Sequence, residues 1–131
     1  MAESDFNLLF IISLPRSGST LLQRVLMSHA NISSISEPWL LLPLVYLLKP
    51  GEVKASYGHS TAHLGITNLV SHLEGGVGTF YKEVGRFVES LYRKMSKPGA
   101  RYFLDKTPRY YLIVNELTTI FPEAKYIVLV R

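Results

Sequence analysis

Short unbroken apolar blocks alternate along this chain with segments whose apolar residues recur every three or four positions. Leu8–Ile12 and Tyr126–Val130 are blocks of the first kind, and Arg101–Lys106 carries a shorter one. Their length and their Ile, Val, Phe and Tyr content suit buried strands. After Gly18, Leu21, Leu22, Val25 and Leu26 share one helical face, which predicts a helix from Gly18 to Ser28. Val77, Phe80, Val84, Phe87, Val88, Leu91, Tyr92 and Met95 predict a long helix, closed by Pro98-Gly99. Tyr110, Ile113, Val114, Leu117, Ile120 and Phe121 predict another, opened by Thr107 as N-cap with Pro108 in the first turn and stopped by Pro122.

Weaker patterns fill the middle. Ile32–Ser36 reads as a short strand, Leu40–Leu48 as a short helix ended by Lys49-Pro50-Gly51, and Ile66–Leu73 as a helix stopped by Gly75-Gly76. Glu52–Gly65 shows no period and is expected to be a loop or lid. Strands apolar on both faces, alternating with helices, imply an α/β fold with a parallel sheet covered on both sides.

Composition narrows the class. At 131 residues the chain is one domain's worth, and its 47% hydrophobic content is enough for a core. No cysteine is present, so neither disulfides nor thiolate metal sites arise. The net charge of +4 suits an anionic ligand. No nucleic-acid-binding signature accompanies it, so no nucleic-acid partner is expected. The acidic start, Met1–Asn7, is unlike a signal peptide, and Pro43 interrupts the greasy stretch Trp39–Leu48 well short of the roughly 20 residues a span requires. A soluble cytoplasmic protein without a membrane span is expected; oligomeric state is not legible.

Candidate chemistry begins at Pro15-Arg16-Ser17-Gly18-Ser19-Thr20, a tight polar turn between strand and helix. That arrangement is the architecture of a phosphate cradle, because the unpaired N–H groups of a helix start point at the anion. It is not the nucleotide-triphosphatase loop G-x-x-x-x-G-K-S/T, since Ser19 takes the Lys place and Ser13 that of the first glycine. In a parallel α/β sheet, ligands sit beyond the carboxyl ends of the strands. Arg16, Lys106 and Arg131 all follow strand candidates, which suggests one polyanion.

Pro15–Thr20 matches throughout the P-K/R-S/T-G-S/T-T loop of sulfotransferases that use 3′-phosphoadenosine 5′-phosphosulfate (PAPS), and the chain resembles that family. Its Arg form is closer to the carbohydrate, tyrosylprotein and bacterial branches than to the cytosolic small-molecule branch. Asp105-Lys106-Thr107-Pro108 and the stretch from Phe121 to Arg131 match the family's second landmark; residues 49–100 match nothing nameable. The resemblance implies a P-loop nucleotide-hydrolase-like fold and metal-independent in-line transfer of a sulfuryl group to a hydroxyl or amine. The acceptor would be a small molecule, a carbohydrate or a peptide. It assigns Arg16 and Lys106 to the sulfuryl and bridging oxygens, Ser17, Gly18, Ser19 and Thr20 to the 5′-phosphate, and Arg131 to the 3′-phosphate.

Family domains of this kind are longer, so residues 1–131 are expected to be the amino-terminal part of a single, incomplete domain. Glu37 is the expected general base, in the place where the tyrosylprotein branch has a glutamate. His59 and His63 are the rival bases, although their reading as exposed loop histidines competes. His29 and His72 sit where they would answer helix dipoles. Trp39 and the leucines after it line either an acceptor pocket or plain core. Two other functions stay open: a P-loop small-molecule kinase, and a truncated non-catalytic nucleotide-binding domain.

Overall fold

The computed structural model describes residues 5–51 and 57–130. Strands β1 (Asn7–Ser13), β2 (Ile32–Ser34), β3 (Tyr102–Asp105) and β4 (Lys125–Leu129) form one parallel sheet in the order β2-β3-β1-β4. Helices α1 (Ser19–Met27), α2 (Leu41–Tyr46), α3 (His59–Ser71), α4 (Gly76–Met95) and α5 (Val114–Ile120) connect them. The α/β architecture with a helix-covered parallel sheet is the one the pattern implied. Among the described residues no helix is long and apolar enough to cross a membrane.

The two faces of β1 explain why it is apolar throughout. Leu9 and Ile11, with Leu104 of β3, pack beneath Leu22 and Leu26 of α1. Leu8, Phe10 and Ile12 point the other way, into the larger core with Leu41, Val45, Val88, Tyr92, Phe103 and Leu117. Each fully buried apolar side chain stabilises the fold by roughly 1.5–3 kcal/mol, so the central strand is its main anchor. With β1 in the middle, the turn that follows it opens at the carboxyl edge of the sheet beside the end of β3.

Several expectations need correction. The expected loop Glu52–Gly65 is helical from His59 onward, and residues 52–56 lie outside the described residues. The apolar period of α3 is weak because the helix buries only His59 and Val70. Nor are its histidines exposed loop groups. His59 is buried with Nε2 2.9 Å from the Lys49 carbonyl oxygen, and half-buried His63 has Nδ1 3.3 Å from that of Leu47.

Thr107 does not cap a helix. A 3-10 turn over Tyr110–Ile113 precedes α5, and the Thr107 hydroxyl donates to Asp105 instead, because a buried carboxylate requires donors. Strand β2 ends at Ser34, two residues early. The buried face of α4 is centred on Gly85, Val88 and Tyr92, while Val77, Phe87 and Met95, counted on the core face, are exposed.

Gly85 shows why the α4 face was misread: close approach, not side-chain hydrophobicity, governs that contact. A Cβ there would lie 3.2 Å from both Cγ2 and the carbonyl oxygen of Ile120. Alanine would return about 1 kcal/mol of helix propensity. Overpacking against that carbonyl costs about 1–3 kcal/mol. Gly85→Ala is therefore expected to lower the unfolding midpoint in a thermal melt, and a raised midpoint would show that α5 yields.

Candidate active site

The turn after β1 has the backbone of a compact cradle. Arg16 adopts φ 59° and Gly18 φ 84°, both in the left-handed region. Glycine takes such a φ without steric cost, whereas for arginine it is strained by about 1–2 kcal/mol. Ser17 Oγ donates to the Leu14 carbonyl at 2.8 Å, closing the turn. Gly18 is the N-cap of α1, with no side-chain cap and no acidic residue in the first turn. Among the described residues no side chain caps the start of α1, and a Cβ at Gly18 would meet nothing within 4 Å. Room and donors coincide, as an anionic group requires.

At the end of β3 the period-two alternation of a strand sends neighbouring side chains to opposite faces. Asp105 turns into the larger core, and Lys106 turns toward α1. Lys106 is 2% exposed, and its Nζ lies 2.6 Å from Glu37 Oε1 and 3.5 Å from Thr20 Oγ1. Three segments remote in sequence thus converge on one ammonium group: the loop–helix start, the stretch after β2 and the end of β3. They border a cleft of about 480 Å³ lined by Thr20, Gln23, Ser36, Glu37, Trp39 and Lys106, among others.

Trp39 also lines a neighbouring apolar cleft of about 570 Å³ with Leu42, Tyr46, Tyr57, His59 and Leu112. It is 44% exposed, whereas Leu41, Leu42 and Val45 are core, so the segment supplies both a cleft wall and core. Among the described residues, Arg16 and Trp39 are the non-glycine residues with positive φ, and both border the site. Strain of this kind concentrates at functional sites.

Asp105 belongs to a buried network on the opposite face. Tyr92 and Tyr110 donate to its Oδ2, Tyr110 at 2.6 Å, and Thr107 donates to Oδ1 at 2.9 Å. Burial pushes its carboxyl up to about 6 although all three hydrogen bonds, and the charge of Lys106, favour the ionised form. Burial first, and then the charge of Asp105, raises both tyrosines well above the usual phenol range.

Of the residues singled out in the sequence, Thr20, Glu37 and Lys106 are brought into contact, and Arg16, Ser17, Gly18 and Ser19 form the adjoining turn. Arg131 lies outside the described residues. His59 and His63 bond to carbonyls after α2, and among the described residues no group of three or more His, Asp or Glu could hold a metal ion. Sequence reasoning missed Gln23 and the ring of hydroxyls around Asp105. A glutamine among the leucines of α1 was the available signal for the first; Tyr92 and Tyr110 passed as ordinary apolar residues.

Comparison with known proteins places the chain by its sequence. The Sulfotransferase family profile matches residues 9–131. The nodulation protein NoeE of Sinorhizobium fredii is 33% identical over 124 residues, which cover 93% of this chain and 28% of that relative. The chain thus spans little more than a quarter of the length of the relative it matches.

Proposed function

The chain belongs to the sulfotransferase family, and from that premise we propose that it carries a PAPS-dependent site for transfer of a sulfuryl group to an acceptor hydroxyl or amine. The observation that supports this most is the buried Lys106 ammonium, in reach of both Thr20 beside the cradle and Glu37 across the cleft. PAPS supplies the sulfuryl group and leaves as 3′-phosphoadenosine 5′-phosphate.

In this reading the amides of Ser17, Gly18, Ser19 and Thr20, with the hydroxyls of Ser19 and Thr20, bind the 5′-phosphate, and the uncapped start of α1 fits that task. Arg16 and Lys106 stabilise charge on the peripheral and bridging oxygens as the bond to sulfur breaks. Sulfuryl transfer shares the in-line geometry of phosphoryl transfer. Fixed cations in a desolvated site can supply the stabilisation without reorganising. Glu37 takes the proton of the acceptor, a role its contact with Lys106 supports. Arg131 is assigned to the 3′-phosphate on the resemblance alone. The acceptor is a small molecule, a sugar or a peptide hydroxyl, entering the cleft past Trp39.

Thermal melts with 3′-phosphoadenosine 5′-phosphate and with ATP, each with and without Mg²⁺, test the reading. Ligand at about a hundred times its dissociation constant stabilises a native state by about 2.7 kcal/mol. A rise on the order of 5–10 °C with the 3′-phosphorylated nucleotide, independent of Mg²⁺, is expected for a chain of this size. A Mg²⁺-dependent rise with ATP would favour a small-molecule kinase, and no rise with either would leave a non-catalytic domain.

A further inference from the structure

Gln23 stands one turn into α1, between Leu22 and the half-buried Leu26, and is 5% exposed. Burying an amide is costly unless its hydrogens are used. Its Nε2 lies 2.9 Å from Ser34 Oγ, 2.7 Å from the Ile35 carbonyl oxygen and 2.9 Å from that of Ser36. An amide oxygen there would face three other oxygens, so the donor end occupies this place. Ser34 Oγ in turn donates to the Leu104 carbonyl at 2.7 Å, two residues before Lys106.

The sheet ladder does not hold this stretch. Pairing of β2 with β3 stops at Ser34, and the chain runs on through Ile35 and Ser36 to Glu37. The two carbonyls just before Glu37 are therefore taken by a side chain of the helix that starts at the cradle.

We propose that Gln23 is a positioning residue for Glu37, fastening the base-bearing segment to the donor-loop helix so that both sides of the cleft keep one geometry. The inference rests on the reading of Glu37 as base. Without the amide, the stretch after Ser34 would keep, among the described residues, the Ser34 hydroxyl and the contact of Glu37 with Lys106, whose charge is also needed at the reacting oxygens. A displacement of about 1 Å at a reacting group can lower turnover on the order of 10²-fold.

Trp39, the single tryptophan, follows Glu37 by two residues and reports on the segment directly. In Gln23→Met, acrylamide quenching of Trp39 is expected to rise by about twofold or more as the segment opens locally. Affinity for 3′-phosphoadenosine 5′-phosphate is expected to stay within about twofold, because the amide does not face the cradle. Sulfate release from PAPS, with water as acceptor, is expected to fall in kcat and not in donor KM. That loss should not add to the loss in Glu37→Gln.

Unchanged quenching, or losses that add in the double variant, would overturn the proposal. So would nucleotide affinity and thermal midpoint falling together, since that describes a mere prop of α1. Should the methionine variant fail to fold, Gln23→Glu retains the volume, sets an acceptor against three oxygens and must raise the quenching likewise. Wild-type sulfate release in Glu37→Gln would remove the base reading, while the quenching would still decide whether Gln23 holds the segment.

Discussion

Lys106→Ala is expected to lower sulfuryl transfer by at least about 10²–10³-fold, the usual cost of removing one fixed donor from the site of charge development. Its effect on stability should be far smaller. The Lys106 side chain is 3% exposed but that of Glu37 is 35% exposed, so the carboxylate left behind can hydrate. For a pair so placed the loss is on the order of 1 kcal/mol, well below that of a fully buried pair broken on one side. Turnover and melting temperature measured on the same preparation separate the two effects. Lys106→Arg is not expected to restore activity. A planar guanidinium needs a wider seat than the point between Thr20 and Glu37, and it distributes its charge differently. Wild-type turnover in Lys106→Ala would remove the residue from the chemistry and with it the convergence on which the site is built.

Why the sequence disclosed this convergence, and not all of it, follows from the kind of pattern each residue leaves. Leu8–Ile12 is apolar on both faces, the signature of a covered parallel strand, so the centre of the sheet was legible; Tyr126–Val130 carries the same signature, but at the sheet edge Val128 and Val130 are exposed, so the burial expected there is not found. The turn between β1 and α1 was legible because Pro15, Gly18 and the serines beside them break the apolar pattern between strand and helix. Glu37 and Lys106 could be named separately, but their contact depends on the strand order β2-β3-β1-β4, which no local pattern encodes. Gln23 was overlooked because one polar residue in an apolar stripe barely alters its period. Only the later part of helix α3, from Ile66 on, was legible, since its buried positions are a histidine and a valine eleven residues apart. Thr107 was misassigned for a related reason: a threonine before proline has the sequence of a cap, yet the buried carboxylate two residues back claims its hydroxyl.

That carboxylate carries the other large expected effect. Asp105→Leu removes the common acceptor of Tyr92, Tyr110 and Thr107, all of them at most 1% exposed and unable to reach water. Each buried donor left unsatisfied costs about 1–3 kcal/mol. The variant is thus expected to lose about 3 kcal/mol or more, a large part of the 5–15 kcal/mol of an ordinary domain. Asp105→Asn keeps one acceptor for the two tyrosines and places its amide against a hydroxyl that can accept, so it should fold. It also isolates the pH dependence. Burial raises the folded carboxyl from 3.8 to about 6, so between those values the native state binds the proton and the unfolded chain does not. The contribution of this group to stability is therefore full below about 3.8 and declines as pH rises through about 6, with no further change above. Denaturant melts of the wild type and Asp105→Asn from pH 3.5 to 7 should show the wild-type advantage shrinking across that interval. An advantage that grew with pH would mean the three hydrogen bonds outweigh burial and hold Asp105 ionised, reversing the sign of its part in the stability of the fold.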